Sequence, residues 1–283
     1  MADFNPEQYK SITRDQWNKS GGGYHSWSES IRQLLQSSID RMIPLAGITE
    51  GSRILELATG GGVVTLQVAR KAGPNGSVLA TDLAGEFLEL AKNSVKAEGL
   101  ENVEFREMDG EVVDVPEGTF DVVFSSLGLM FFPDPLKSLK AQRLSIKSGG
   151  KVAAIVFSSP EKNPFFSIPV SIIRKRAGLP APQPGQPGPF ALGAPGLIES
   201  LFEKAELKDV KRETFSQQIV LPSTAEFIRF LTDAFGALHM MMAKMSDEEK
   251  AATWDDVTEG LRQFEGPDGF SCPLETHLCV GTR

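Results

Sequence analysis

The sequence predicts an α/β protein with a doubly wound sheet and a helical cap. Over residues 49–158, short apolar runs alternate with stretches of helical period, and the runs are closed by glycine, serine or aspartate turn residues. Strands separated by helices of about 10–15 residues make βαβ units, and such units build parallel sheets. The regular pattern then breaks: residues 160–196 hold nine of the eighteen prolines. That stretch reads as an irregular excursion with one short helix, Phe166–Ala177, inserted into the fold.

The elements follow in order. Residues 1–48 form an N-terminal helical cap segment, polar with aromatic punctuation (Phe4, Tyr9, Trp17, Tyr24, Trp27), and its amphipathic helix runs from Ser28 to about Ile43. Residues 49–283 form the main domain, with cap insertions at about 160–196 and 222–266. Arg53–Leu57 is the first strand and Val63–Lys71 its helix; Ser77–Thr81 is the second strand, followed by a helix from Gly85 to about Glu98. Val103–Glu107 and Phe120–Phe124 are the third and fourth strands. Leu136–Leu144 is helical and capped by Gly149-Gly150, and Val152–Phe157 is the fifth strand. Beyond the excursion, Leu197–Ala205 is a helix, and Lys208–Val220 and Thr276–Thr282 complete seven strands. Between those two lies a helical pair, Thr224–Met245 and Asp247–Glu265. In such sheets the ligand sits outside the carboxyl ends of the strands, at the switch point.

Composition narrows the partners. With 283 residues, 41% hydrophobic and 23% charged, the chain is an ordinary globular protein long enough for a large core. Its net charge of −8 argues against a nucleic-acid partner, which needs a basic footprint. Cys272 and Cys279 match no zinc spacing, so no metal is expected, and two reduced thiols fit a cytoplasmic protein. No secretory leader is visible at the N-terminus and no apolar run is long enough to span a membrane.

The chemistry concentrates in Ile54-Leu-Glu-Leu-Ala-Thr-Gly-Gly-Gly62. A strand carrying Glu56 runs into a turn where Ala58, Gly60 and Gly62 let a ligand approach the main chain closely. Twenty residues after Gly62, Asp82 ends the second strand, where a carboxylate accepts ribose hydroxyls. Thr65 stands where a dinucleotide fingerprint has its third glycine, and the Glu56 anion would repel a pyrophosphate. This combination points away from NAD and toward S-adenosylmethionine (SAM), which has a ribose, an amino group and a sulfonium but no phosphate. By residue type alone, Asp82 also suits a helix cap and Asp109 a turn, while Tyr24 and Trp27 also suit hydrophobic staples for the helix that follows.

From about Trp17 to Phe157 the chain resembles the class I SAM-dependent methyltransferases, in particular the type of the ubiquinone/menaquinone-biosynthesis methyltransferases. The resemblance rests on Glu56 with Ala58-x-Gly60-x-Gly62, on Asp82, on Asp109 in Arg-Glu-Met-Asp-Gly, and on the fourth-strand segment Phe120–Pro135. Alanine takes the place of the family's first glycine. The resemblance implies a Rossmann-like, seven-stranded sheet, mostly parallel with the last strand antiparallel. It also implies SAM as cofactor and S-adenosylhomocysteine (SAH) as product. Carried over by position, Glu56 anchors the methionine end with Ala58, Thr59, Gly60 and Gly62 beneath it, and Tyr24 closes over the carboxylate. Asp82 holds the ribose, Leu83 lies against the adenine, and Asp109, flanked by Met108 and Gly110, reads the adenine amino group. Ser125 and Leu127 lie near the cofactor.

Methyl transfer from a sulfonium is an in-line displacement, in which the protein contributes mainly alignment and a dry pocket. Where the acceptor must lose a proton, His25 and His239 are the candidate bases, since histidine titrates near neutrality. Asp134, between two prolines, suits turn chemistry and His277 a structural place in the last strand. The acceptor pocket is expected to be apolar, with Trp27, Phe131, Phe132, Phe166, Phe235 and Met241 as candidates, which suits a small hydrophobic or aromatic molecule. The class alone suggests a homodimer. Two alternatives share the turn: a SAM-binding protein with other chemistry, and an NAD-dependent oxidoreductase.

Overall fold

The computed structural model of the chain describes residues 4–181, Gln183 and residues 185–283. Residues 1–3 of the expected cap segment and Pro182 and Pro184 of the expected excursion lie outside these. The chain opens with two helices, α1 (Pro6–Ser26) and α2 (Ser28–Leu45). Next come β1 (Arg53–Leu57), α3 (Val63–Ala72), β2 (Ser77–Asp82), α4 (Gly85–Ala97), β3 (Val103–Glu107), β4 (Phe120–Ser126), α5 (Pro135–Ser145) and β5 (Ile146–Phe157). The remainder is α6 (Pro164–Arg176), α7 (Leu197–Lys204), β6 (Lys208–Leu221), α8 (Thr224–Ala234), α9 (Gly236–Met241), α10 (Asp247–Leu261), β7 (Glu265–Gly266) and β8 (Gly269–Thr282).

The sheet order is β3-β2-β1-β4-β5-β8-β6, with the two-residue β7 added on β8. The contacts among β1 to β5 are parallel, and β8 runs antiparallel to both β5 and β6. The expected seven-stranded sheet with an antiparallel last strand is therefore present. Central strands buried on both faces explain why β1 reads as a nearly continuous apolar run: Ile54, Leu55 and Leu57 are fully enclosed. After β3 the chain returns to pair β4 beside β1, which places the switch point between β1 and β4.

Four local expectations differ from the structure. The Gly149-Gly150 pair does not cap α5, which passes directly into β5; the glycines lie within that strand beside an irregularity opposite β4. A side chain on Gly150 would meet the Asp121 carbonyl oxygen at 2.9 Å, so the pair serves a close backbone approach. The predicted helix Thr224–Met245 breaks at Phe235, where α8 gives way to the short α9. The last strand begins at Gly269, seven residues before Thr276, because its first half pairs with the far end of β6.

The largest difference is α1. Gly21-Gly22-Gly23 gives no helical signal, since each glycine costs about 1 kcal/mol against alanine in a helix. Asn5 starts the helix by accepting from the Gln8 amide at 3.0 Å, with Pro6 in the first turn. Two of the glycines then sit in close contacts. Gly23 lies flush against the Asp233 carbonyl of α8, and Gly21 faces Leu90 of α4, so tertiary packing offsets the poor propensity.

Candidate active site

β1 delivers Glu56 and then turns through Ala58–Gly62 into α3. Ala58, Gly60 and Gly62 all have positive φ (58°, 55° and 85°), as does Leu127 (58°) at the end of β4. For alanine and leucine this is a strained conformation, and such strain gathers at ligand cradles. Ala58 is accommodated because residue 128 is glycine: a Cβ there would collide with the Ala58 methyl and stand 2.6 Å from Ser125 Oγ. Gly60 has open space over it, so the turn presents bare main chain.

Two carboxylates frame the turn. Glu56 is buried and accepts a hydrogen bond from Thr65 Oγ1 at 2.6 Å, while the Thr65 and Thr59 hydroxyls are bonded to each other. Burial pushes the Glu56 carboxyl up to about 8, against the two threonine hydroxyls and with the Asp82 charge adding to the rise. Thr65, which breaks the dinucleotide fingerprint, is thus the hydroxyl that orients Glu56. Asp82 accepts from the Gly60 amide (Oδ2, 2.9 Å) and the Ala84 amide (Oδ1, 2.9 Å). Burial raises its pKa while the amides of Ala84, Gly60 and Leu83 oppose the rise. Asp82 therefore ties the end of β2 to the glycine turn and retains lone pairs for hydroxyl donors.

A cavity of about 50 Å³ opens at the switch point, lined among others by Tyr24, Glu56, Ala58, Gly60, Ser126 and Leu127. Tyr24 comes from α1, lies over Gly61 and packs edge-on against Phe87 with centroids 5.1 Å apart. Burial pushes its hydroxyl up to about 12, with the Asp82 charge adding to it. Ser126 Oγ is buried without a hydrogen-bond partner, and Ser126 lines this cavity. An orphaned hydroxyl beside a buried carboxylate and a glycine cradle fits the amino-acid end of SAM. A larger hollow, about 200 Å³, lies between α2 and the edge strand β6, away from the switch point and without a titratable lining residue.

At the other end of the site, Met108 is buried and Asp109 closes a turn by accepting from the Glu111 amide at 2.9 Å. Gly110 is required there: a side chain would run into the Phe132 ring. Lys10 of α1 reaches this turn, its Nζ 2.8 Å from Asp109 Oδ2 and 2.7 Å from Glu111 Oε2. Burial would lower the Lys10 pKa, but the two carboxylates outweigh it and the ammonium is held well above its usual range.

The structure gathers Tyr24, Glu56, Ala58, Thr59 and Gly60 around one cavity, with Gly62 and Asp82 adjoining, and sets Leu83 beside Asp82 and Met108, Asp109 and Gly110 farther along the strand ends. It does not do so for every candidate. Ser125 points into the packing between Ala58 and Gly128, fully buried, because successive residues of β4 alternate faces; Ser126 is the serine at the cavity. His25 and His239 are exposed; His25 faces Ser28, and His239 bonds the Thr232 carbonyl and packs near Trp254. Trp27 stands at the N-cap of α2, donates from Nε1 to Asp233 and packs on Phe230, so it ties the start of α2 to α8 and does not staple its own helix. Phe132 covers Gly110 and Phe131 packs against Trp17 of α1, and neither lines the switch-point cavity. Phe166 and Phe235 do meet there, 5.1 Å apart, beside Phe190 of the proline-rich excursion. Met241 is half-buried on α9 and absent from the cavity lining. Asp134 caps α5 through the Lys137 amide, and His277 bonds Thr214 between strands. Residues that sequence reasoning missed are Lys10, Trp17, Phe87 and Ser126.

The fold is that of the SAM-dependent methyltransferases. Residues 30–175, just over half of the chain, match the model of the ubiE/COQ5 methyltransferase family, and the chain belongs to that family. It is 27% identical over 175 residues to the ubiquinone/menaquinone biosynthesis C-methyltransferase UbiE of Teredinibacter turnerae, which covers 58% of this chain and 70% of that protein. Against the enzyme of the same name from Pasteurella multocida it is 28% identical, covering 56% of this chain and 63% of the relative. Among solved structures, YcgJ of Bacillus subtilis superposes with a TM-score of 0.57 at 18% identity, covering 88% of this chain and 98% of YcgJ. Phosphoethanolamine N-methyltransferase 2 of Haemonchus contortus, solved with SAM, superposes with a TM-score of 0.54 at 18% identity, covering 88% and 52%.

Proposed function

We propose that the protein transfers the methyl group of SAM to a small hydrophobic or aromatic acceptor. The observation that carries this is the coupling of the glycine turn to Asp82 through the Gly60 amide, beside the buried Glu56. SAM supplies the electrophilic methyl. In this reading Glu56, held by Thr65, and Ser126 take the methionine ammonium, and Asp82 accepts the ribose hydroxyls. Asp109 reads the adenine amino group, and Tyr24 keeps water from the methionine end. No side chain of the site is assigned as a base; the chain's work is alignment and exclusion of water. The aromatic contacts of Phe166, Phe190 and Phe235 support an apolar acceptor wall where the excursion meets α8 and α9. The UbiE relatives support an acceptor of quinone-precursor type. Two unpaired, buried thiols support action in the reducing cytoplasm.

Isothermal titration with SAM and SAH tests the cofactor, on the wild type and on Asp82→Ala. Binding lost in the variant is the expected outcome, followed by a screen of quinols, phenols, thiols and amines for SAH release. Absence of heat with both ligands on the wild type would overturn the assignment.

A further inference from the structure

Glu111 is buried beside the candidate adenine end, and α1, the turn after β3 and the start of α5 all meet at it. Its backbone amide donates to Asp109 Oδ1 at 2.9 Å, so this residue closes the turn that carries Asp109. Its carboxylate accepts from the Asp134 amide at 2.6 Å through Oε1, and Asp134 is fixed in turn as the cap of α5. Ser138 of α5 pins the middle of the same turn by donating to the Gly110 carbonyl at 2.6 Å, and Gln142 donates to Ser138 at 2.9 Å. The turn and the Glu111 carboxylate are thus set in place before any ligand arrives.

Lys10 connects this carboxylate to Asp109. Its Nζ lies 2.7 Å from Glu111 Oε2 and 2.8 Å from Asp109 Oδ2, with the exposed Glu7 farther off at 3.5 Å. The lysine side chain is only 11% exposed, and an ammonium enclosed to that degree is costly to leave unpaired. Both Asp109 oxygens are engaged, Oδ1 by the Glu111 amide and Oδ2 by Lys10. A ligand amino group that donates to Asp109 therefore competes with Lys10. Glu111 settles the competition. Its side chain is 4% exposed against 27% for Asp109, and an ion pair strengthens as water is removed from around it. Lys10 keeps its stronger partner while Asp109 serves the ligand.

We infer that Glu111 is a positioning residue for the adenine end: it holds Lys10 and so releases the Asp109 carboxylate to accept from the amino group of the base. Glu111 acts through Lys10 and through the turn, without touching the ligand. This inference rests on the reading of Asp109 as the group that recognises the adenine amino group.

The test compares SAH with S-inosylhomocysteine, in which an oxygen replaces that amino group, by calorimetry on the full chain. The wild type should prefer SAH by about tenfold or more, because a site built to accept from an amino group rejects the analogue without it. Glu111→Gln keeps an oxygen for the Asp134 amide but presents a donor to Lys10, which then falls back on Asp109. The preference should drop by about fivefold or more. Lys10→Met alone should keep it at the wild-type level or above, and in that background Glu111→Gln should alter it by less than about twofold. An equal loss with and without Lys10 marks a purely structural part for Glu111 and overturns the inference. An unchanged preference in Glu111→Gln, or a lowered one in Lys10→Met, does the same. A wild type that binds both ligands equally overturns the reading of Asp109, and one that binds neither overturns the cofactor; each also overturns the role given to Glu111.

Discussion

Thr65 donates its hydroxyl to Glu56 at 2.6 Å in a place closed to solvent, so one of the two glutamate oxygens is fixed before any ligand arrives. Glu56 also lines the switch-point cavity, and the bond to Thr65 only partly compensates for burying the charge.

A pH dependence follows. The Glu56 carboxyl lies at about 8 in the folded protein, far above its unfolded value, so in the ligand-free chain its protonated form dominates at neutral pH. Affinity for SAH, through its ammonium, should rise with pH up to about 8 and level off above it, by up to roughly tenfold per unit. Glu56→Gln should bind weakly and without that slope, as calorimetry across pH 6–9 would show.

The same shift acts on stability with a definite sign. A raised folded pKa means that Glu56 contributes most below its unfolded value and that this contribution is lost as pH rises through about 8. The ligand-free wild type should lose thermal stability between about pH 4.5 and 8 more steeply than Glu56→Gln. Parallel melting curves for the two proteins would contradict the burial argument.

Ala58 and Gly128 form a pair in which only one position can carry a methyl group. Gly128→Ala should destabilise the fold by about 1–3 kcal/mol through overpacking. Ala58→Gly should relieve the collision and remove a positive-φ alanine, so the double variant regains part of the loss. A double-mutant cycle by urea unfolding measures the coupling.

The exposed histidines should be dispensable. His25→Ala and His239→Ala are expected to leave kcat/KM within about twofold and stability within about 0.5 kcal/mol. Steady-state kinetics with any acceptor that turns over is sufficient; a loss beyond tenfold in either would restore that histidine as a base.

Trp27 serves the joint between the N-terminal helices and α8. Trp27→Phe forfeits the hydrogen bond to the Asp233 carboxylate and should cost about 1.5–3 kcal/mol in stability. Affinity for SAH should stay unchanged, which separates Trp27 from Tyr24 three residues before it.

Much of this architecture was legible in the chain. The strands β1, β3 and β6, the helices α3 and α4, and the pairing of a glycine turn with Asp82 follow from local signals: period, turn chemistry and the distance from turn to carboxylate. The helix α1 was hidden, because its glycines speak against a helix until the carbonyl of Asp233 and the side chain of Leu90 are seen beside them. Ser125 and Ser126 are equivalent as text, and the alternation of faces in β4 decides which one meets the cavity. The histidines and Trp27 illustrate the same limit. Residue type shows what a side chain is able to do, whereas its place depends on helices packed from distant parts of the chain.

The sequence by itself therefore determined the sheet, the cradle and the class of cofactor, since each depends on residues close together along the chain and on the geometry of one βαβ unit. Only the tertiary structure decided what covers the cradle. Lys10 and Asp109 stand 99 residues apart and meet through an ion pair. No local periodicity encodes such a contact, because it arises from the burial of one helical face against strand ends assembled elsewhere.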